Sequence, residues 1–94
     1  MNKEEAKSEL AKIVAQNRKR SYEHWVSQID EQETYEFEVS SGVKYQVEIE
    51  AFWDDRKRRN VRVVSAIDDG GLIAFIHPLS ADFIIAPDGS FVGE

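Results

Sequence analysis

The sequence predicts an α+β fold: an N-terminal helix, broken near residue 20, packed on one antiparallel meander sheet of five or six strands. Three observations predict it. Apolar residues recur at helical spacing up to residue 30 and at every second position after it. Every link between the later segments is short enough for a hairpin and too short for a crossover helix, which excludes a parallel sheet. A chain of 94 residues, 41% hydrophobic and 32% charged, has the size and composition of one two-layer domain. Residues 1–30 form its helical segment and residues 31–94 its sheet.

The helix spans residues 2–17. Ala6, Leu10, Ile13, Val14 and Asn17 fall on one face, with Lys and Glu elsewhere. Asn2 suits the N-cap, and Glu4 and Glu5 suit the positive first turn. Arg18, Lys19 and Arg20 suit the negative last turn. Tyr22, Trp25, Val26 and Ile29 continue at helical spacing, but about 120° round from the first face at 100° per residue. A bend near Arg20–Ser21 is therefore expected, with Ser21 capping a short second helix over residues 21–30.

After Asp30 the period falls to two. Tyr35, Phe37 and Val39 alternate with Glu36 and Glu38, and Tyr45, Val47, Ile49 and Ala51 alternate with Gln46, Glu48 and Glu50. The "SSGV" connector supplies a glycine for the turn. Asn60–Ile67 is the third strand and Leu72–Ile76 the fourth, linked by "DDGG". "DFIIA" is the fifth, and "SFV" a short sixth across "PDG", where Pro87 presets φ and Gly89 takes the positive-φ position. Phe83, Ile85 and Phe91 are expected to supply core from this last hairpin. Pairing Val39 with Tyr45, Phe37 with Val47 and Tyr35 with Ile49 sets Glu38 opposite Gln46, Glu36 opposite Glu48 and Thr34 opposite Glu50.

The net charge of −6 is unevenly placed. Residues 21–50 hold eight Asp/Glu against Lys44 alone, whereas residues 1–20 hold six Lys/Arg against three Glu. Like charges facing each other across a strand pair weaken it. Tolerated repulsion on the first hairpin fits a face kept for a basic partner.

Several activities are disfavoured. There is no cysteine, hence no disulfide framework or thiolate metal site. No G-x-S-x-G, P-loop or G-x-G-x-x-G occurs, and "DDGGL" is a turn with no following helix. His24 and His77, the two histidines, lack a second ligand at metal spacing. The aspartates Asp54, Asp55, Asp68, Asp69, Asp82 and Asp88 sit where turns favour Asp. No cofactor, metal or catalytic residue is expected. The N-terminal stretch has no apolar h-region and no apolar run approaches ~18 residues, so neither a signal peptide nor a membrane span is expected, and the cytoplasm is the expected compartment.

The stretch "WDDRKRRNVRVVSAIDDGG…AFIHPLSADFIIAPDGSFVGE", Trp53 to Glu94, resembles a family of small bacterial domains of unknown function. Those domains pair an Ile-Asp-Asp-Gly-Gly turn with a Phe-Ile-Ile-Ala-Pro-Asp-Gly-Ser-Phe-Val ending. The resemblance covers a little under half the chain. It implies a bacterial origin and one soluble domain, and carries no catalytic residue over.

The expected function is a non-enzymatic module that binds a basic protein through Glu36, Glu38, Glu48 and Glu50. A sharper form is an immunity protein that neutralises a basic nuclease toxin. Two alternatives are a small carboxylate- or metal-dependent hydrolase using Asp68, Asp69, and Asp82 or Asp88 with His77, and nucleic-acid binding through Arg18–Arg20 and Arg56–Arg59. The acidic balance disfavours nucleic acid. The chain is expected to be a monomer or a weak homodimer joined through a free sheet edge.

Overall fold

The computed structural model describes residues 2–70 and 79–94. Helix α1 runs Lys3–Asn17 and helix α2 Tyr22–Ser27. Strands β1 (Gln32–Glu38), β2 (Lys44–Asp55), β3 (Asn60–Asp68) and β4 (Leu79–Ile85) form one antiparallel sheet in the order β1-β2-β3-β4.

Each helix starts where its cap side chain satisfies a free N–H group. Asn2 Oδ1 accepts from the Glu5 amide at 3.1 Å, and Ser21 Oγ accepts from the His24 amide at 3.0 Å. Helix α1 stops at Asn17, and the three basic residues lie beyond it in the turn that redirects the chain into α2. The two apolar faces thus reach the same side of the sheet by a change of direction. Helix α1 packs over β3 and β4, and α2 over β2 and β3.

The core lies between the helices and one face of the sheet. Leu10 and Ile13 of α1 and Trp25 of α2 meet Tyr45, Val47 and Ile49 of β2, Val61, Val63 and Ile67 of β3, and Phe83 and Ile85 of β4. Burying each large apolar side chain contributes roughly 1.5–3 kcal/mol against exposure. Among the described residues three polar ones, Asn17, Asn60 and Ser65, are buried as well. Asn17 ends α1 and Ser65 stands mid-β3, and the Asn17 amide donates to the Ser65 hydroxyl at 3.0 Å. Tyr45 is fully buried, and its hydroxyl donates to Glu5 at 2.7 Å. Burial first, and then this bond, push the phenol up to about 12.

The sheet has four strands among the described residues, not five or six. Leu72–Ile76, expected as a strand, lies outside them. The partner of β3 is Leu79–Ile85, longer than "DFIIA" suggested. The "SFV" ending contributes a single bridge, Ile85 to Phe91, rather than a strand. Gly93 at φ 84° turns the chain away directly afterwards.

The first hairpin pairs two residues away from the expected register. Phe37 faces Tyr45, Tyr35 faces Val47 and Glu36 faces Gln46. The loop explains the shift. Gly42 adopts φ 89°, its N–H bonds Val39 O at 2.8 Å, and Val39 N–H bonds Val43 O at 3.0 Å. A turn closed by a left-handed glycine makes a three-residue loop and locks Val39 to Val43. Ala86-Pro87-Asp88-Gly89-Ser90 repeats this geometry, with Gly89 N–H bonded to Ala86 O at 2.8 Å and Ala86 N–H to Ser90 O at 2.9 Å. Because the shift is even, every side chain keeps its expected face.

Candidate functional site

The outer face of the sheet, away from both helices, carries the even-numbered residues of β1 and β2. Glu36, Glu38, Glu48 and Glu50 all lie there, and all four are exposed. The true register replaces the expected Glu36–Glu48 opposition with milder pairs. Glu38 faces Lys44, Glu36 faces Gln46, Glu48 faces Thr34, and Glu50 accepts a hydrogen bond from Gln32 at 3.0 Å. No two glutamates face each other directly across β1 and β2. The fold avoids much of the repulsion expected from the sequence, and the face stays acidic.

Besides Lys44 opposite Glu38, the strand cation on this face among the described residues is Arg62, at the other end. Arg62 of β3 binds Asp54 through Nε at 2.9 Å and also pairs with Asp82 of β4. The two carboxylates, Asp54 first, hold the guanidinium pKa above its ordinary value. Glu36, Glu38 and Glu48 have no ion pair among the described residues. The cation on β3 is therefore spent on Asp54 and Asp82, and the glutamate field keeps its charge.

Sequence reasoning missed the apolar part of this face. Phe52 of β2 is 41% exposed and Val92 is 39% exposed. Phe52 faces Arg62, Arg62 faces Ile84, and the Val92 amide donates to Ile84 O at 2.9 Å. A row of Phe52, Arg62, Ile84 and Val92 thus crosses the sheet beside the carboxylates. The signal was present, since continuing the β2 alternation past Glu50 puts Phe52 on the polar side. Tyr35, expected to face the core, is 38% exposed because α1 covers β3 and β4 and leaves β1 bare.

The aspartates proposed for hydrolysis have local partners. Asp68 Oδ1 accepts from Gly70 N–H at 2.8 Å, and Asp88 Oδ1 accepts from the Ser90 amide at 2.9 Å and its hydroxyl at 2.6 Å. Those Ser90 bonds, the hydroxyl first, lower the Asp88 pKa. Asp82 pairs with Arg62 and faces Val64, four residues along β3 from Asp68, or roughly 13 Å at strand rise. His77 lies outside the described residues. Among the described residues no three His, Cys, Asp or Glu side chains are grouped to hold a metal.

The basic residues are mostly engaged as well. Arg18 pairs with Glu94 and stacks over Phe91 at 4.4 Å and Phe83 at 5.5 Å. Arg20 reaches His24 and Glu33 and lies over Trp25, while Arg59 stacks on Trp53 at 4.7 Å. Tyr22 donates to Arg59 O at 2.7 Å, so the start of α2 lies beside the β2–β3 hairpin tip. Arg56, Lys57 and Arg58 project from that tip, where Asp55 accepts from the Lys57 and Arg58 amides at 3.0 and 3.1 Å.

Two hollows flank the sheet on the helix side. One, about 520 Å³, lies between α1 and the start of β4 over Leu10, Val14, Leu79 and Ala81. The other, about 210 Å³, lies between α1 and β1 over Ile13, Tyr35 and Phe37. Among the described residues no helix is long and apolar enough to cross a membrane. Comparison with protein-family models, curated proteins and solved structures finds no match to this chain.

Proposed function

We propose that the chain is a non-enzymatic protein-binding module that presents the outer sheet face to a basic protein. The observation that carries this reading is the division of charge on that face. Arg62 is held by Asp54 and Asp82, and Glu36, Glu38 and Glu48 stay exposed without an ion pair among the described residues. The row of Phe52, Ile84 and Val92 adds apolar surface that a partner can cover. Acidic potential speeds encounter with a cationic surface, and buried apolar contacts slow its release. A bacterial origin is what the Trp53–Glu94 resemblance implies, and the cytoplasm is the compartment that the cysteine-free sequence favours. Neutralisation of a basic nuclease toxin is a more specific form of the same reading.

The test compares capture from the native organism by the wild-type chain and by a Glu36→Gln, Glu38→Gln, Glu48→Gln, Glu50→Gln variant. A basic protein retained by the first and lost by the second, and released by salt, is the expected result. Identical captured proteins on both would overturn the reading.

A further inference from the structure

The bare β1 edge stands beside an aromatic trough, and the two share one line of the molecule. Strand β1 is seven residues long, ends the strand order, and has no strand on its far side among the described residues. Sheets usually blunt such an edge with proline, lysine, a bulge or a covering helix. Gln32-Glu33-Thr34-Tyr35-Glu36-Phe37-Glu38 contains no proline, glycine or lysine, its pairing to β2 is regular, and α1 lies over β3 and β4 instead. Val39 donates to Val43, so the antiparallel alternation turns Phe37 and Tyr35 toward β2. Gln32, Thr34, Glu36 and Glu38 therefore direct their backbone N–H and C=O groups to the open edge.

We propose that an extended peptide segment of alternating basic and apolar residues docks on β1 as a fifth strand. This rests on the outer-face reading and adds its mode of binding. Main-chain bonds to Thr34, Glu36 and Glu38 give the segment its register. On the helix side its apolar residues fall beside Tyr35 and Phe37, in the trough bounded by Ile13 and Lys12 of α1. On the outer side its basic residues fall beside Glu36 and Glu38, opposite-charge neighbours that stabilise a strand pair.

Charge selects this occupant over a second copy of the chain. Residues 31–38 carry four Glu and no Lys or Arg. Pairing two β1 edges would set the six carboxylates of two copies of Glu33, Glu36 and Glu38 along one ladder, whereas a cationic strand relieves them. The acids thus protect the edge from self-association and leave it open to a basic segment.

The probe is a synthetic peptide of four Lys-Val repeats, compared with a block peptide of the same composition in which four lysines precede four valines. Amide hydrogen exchange and affinity are followed on the full chain. The alternating peptide is expected to slow exchange at Thr34, Glu36 and Glu38 at least tenfold and to bind about tenfold tighter than the block peptide. Thr34→Pro, which removes an outward N–H, should abolish that difference with the circular dichroism unchanged. The exchange measurement needs no variant, so the test stands even if Thr34→Pro fails to fold. Equal binding of both peptides without protection of β1 overturns edge docking and leaves the outer-face reading intact. Binding of neither peptide overturns both. Protection of the same amides in a peptide-free dimer overturns the proposal in favour of self-pairing.

Discussion

The side-chain amide of Asn17, the last residue of α1, donates to the hydroxyl of Ser65 in the middle of β3 at 3.0 Å, and both residues are buried. This bond spans 48 positions of sequence and ties the end of the helix to the centre of the sheet. It satisfies two of the buried polar residues against each other.

Asn17→Ala should therefore destabilise the fold by about 1–3 kcal/mol, because it strands a buried hydroxyl and opens a cavity. Adding Ser65→Ala removes the stranded group and should recover part of that loss. Urea unfolding of the two single variants and the double variant checks this; simply additive losses would show the bond has no coupling energy.

The C-terminal segment is held by Arg18, which pairs with Glu94 and stacks over Phe91, itself edge-to-face on Phe83 at 5.5 Å. Ending the chain after Pro87 removes Phe91 and Glu94 together and exposes Phe83. The truncated chain should unfold or aggregate at temperatures where the full chain is folded, as thermal melts and light scattering would show.

The same clamp has a pH dependence. The hydrogen bond from Arg18, ahead of its charge, holds the Glu94 carboxyl below its ordinary value of 4.5. A carboxyl depressed in the folded state stabilises above its unfolded pKa and loses that contribution as pH falls through the folded one. The C-terminal segment should thus loosen as pH falls below the ordinary carboxyl value of 4.5. Arg18→Gln should remove the acid-dependent step, read from amide exchange at Val92 between pH 7 and 3.

Arg62 sets the charge of the outer face. Its guanidinium is one-third exposed, so Arg62→Gln should cost only about 0.5–1 kcal/mol. Freeing Asp54 and Asp82 should also raise the association rate of a cationic partner at low salt. Stopped-flow binding of the alternating Lys-Val peptide at two ionic strengths tests this, and an unchanged rate would count against steering by this face.

Gly42 fixes the β1–β2 register through its φ of 89°, and a Cβ there would meet open space. The cost of Gly42→Ala is therefore backbone strain alone, about 1–2 kcal/mol, with Gly42→Asn milder. Chemical denaturation measures the loss, and ring-to-ring nuclear Overhauser contacts between Phe37 and Tyr45 report whether the register survives.

Periodicity and capping residue types in the sequence were enough to predict two helices, their caps at Asn2 and Ser21, the bend between them, and the faces taken by residues 35–38 of β1 and residues 45–51 of β2. These features depend on a few neighbouring residues and the period of the backbone. The register did not follow, because pairings two residues apart share the same faces and only the closed Val39–Val43 loop distinguishes them. The strand count failed for a related reason, since "SFV" has strand composition yet makes one bridge before Gly93 turns away. Alternation fixed the acidic face of Glu36, Glu38, Glu48 and Glu50, but its surroundings required packing. Only the tertiary structure set α1 over β3 and β4, which left Tyr35 and the β1 edge open, and only it brought Arg62 between Asp54 and Asp82. Local propensity is written in adjacent residues, whereas these choices arise from contacts between segments far apart in the chain.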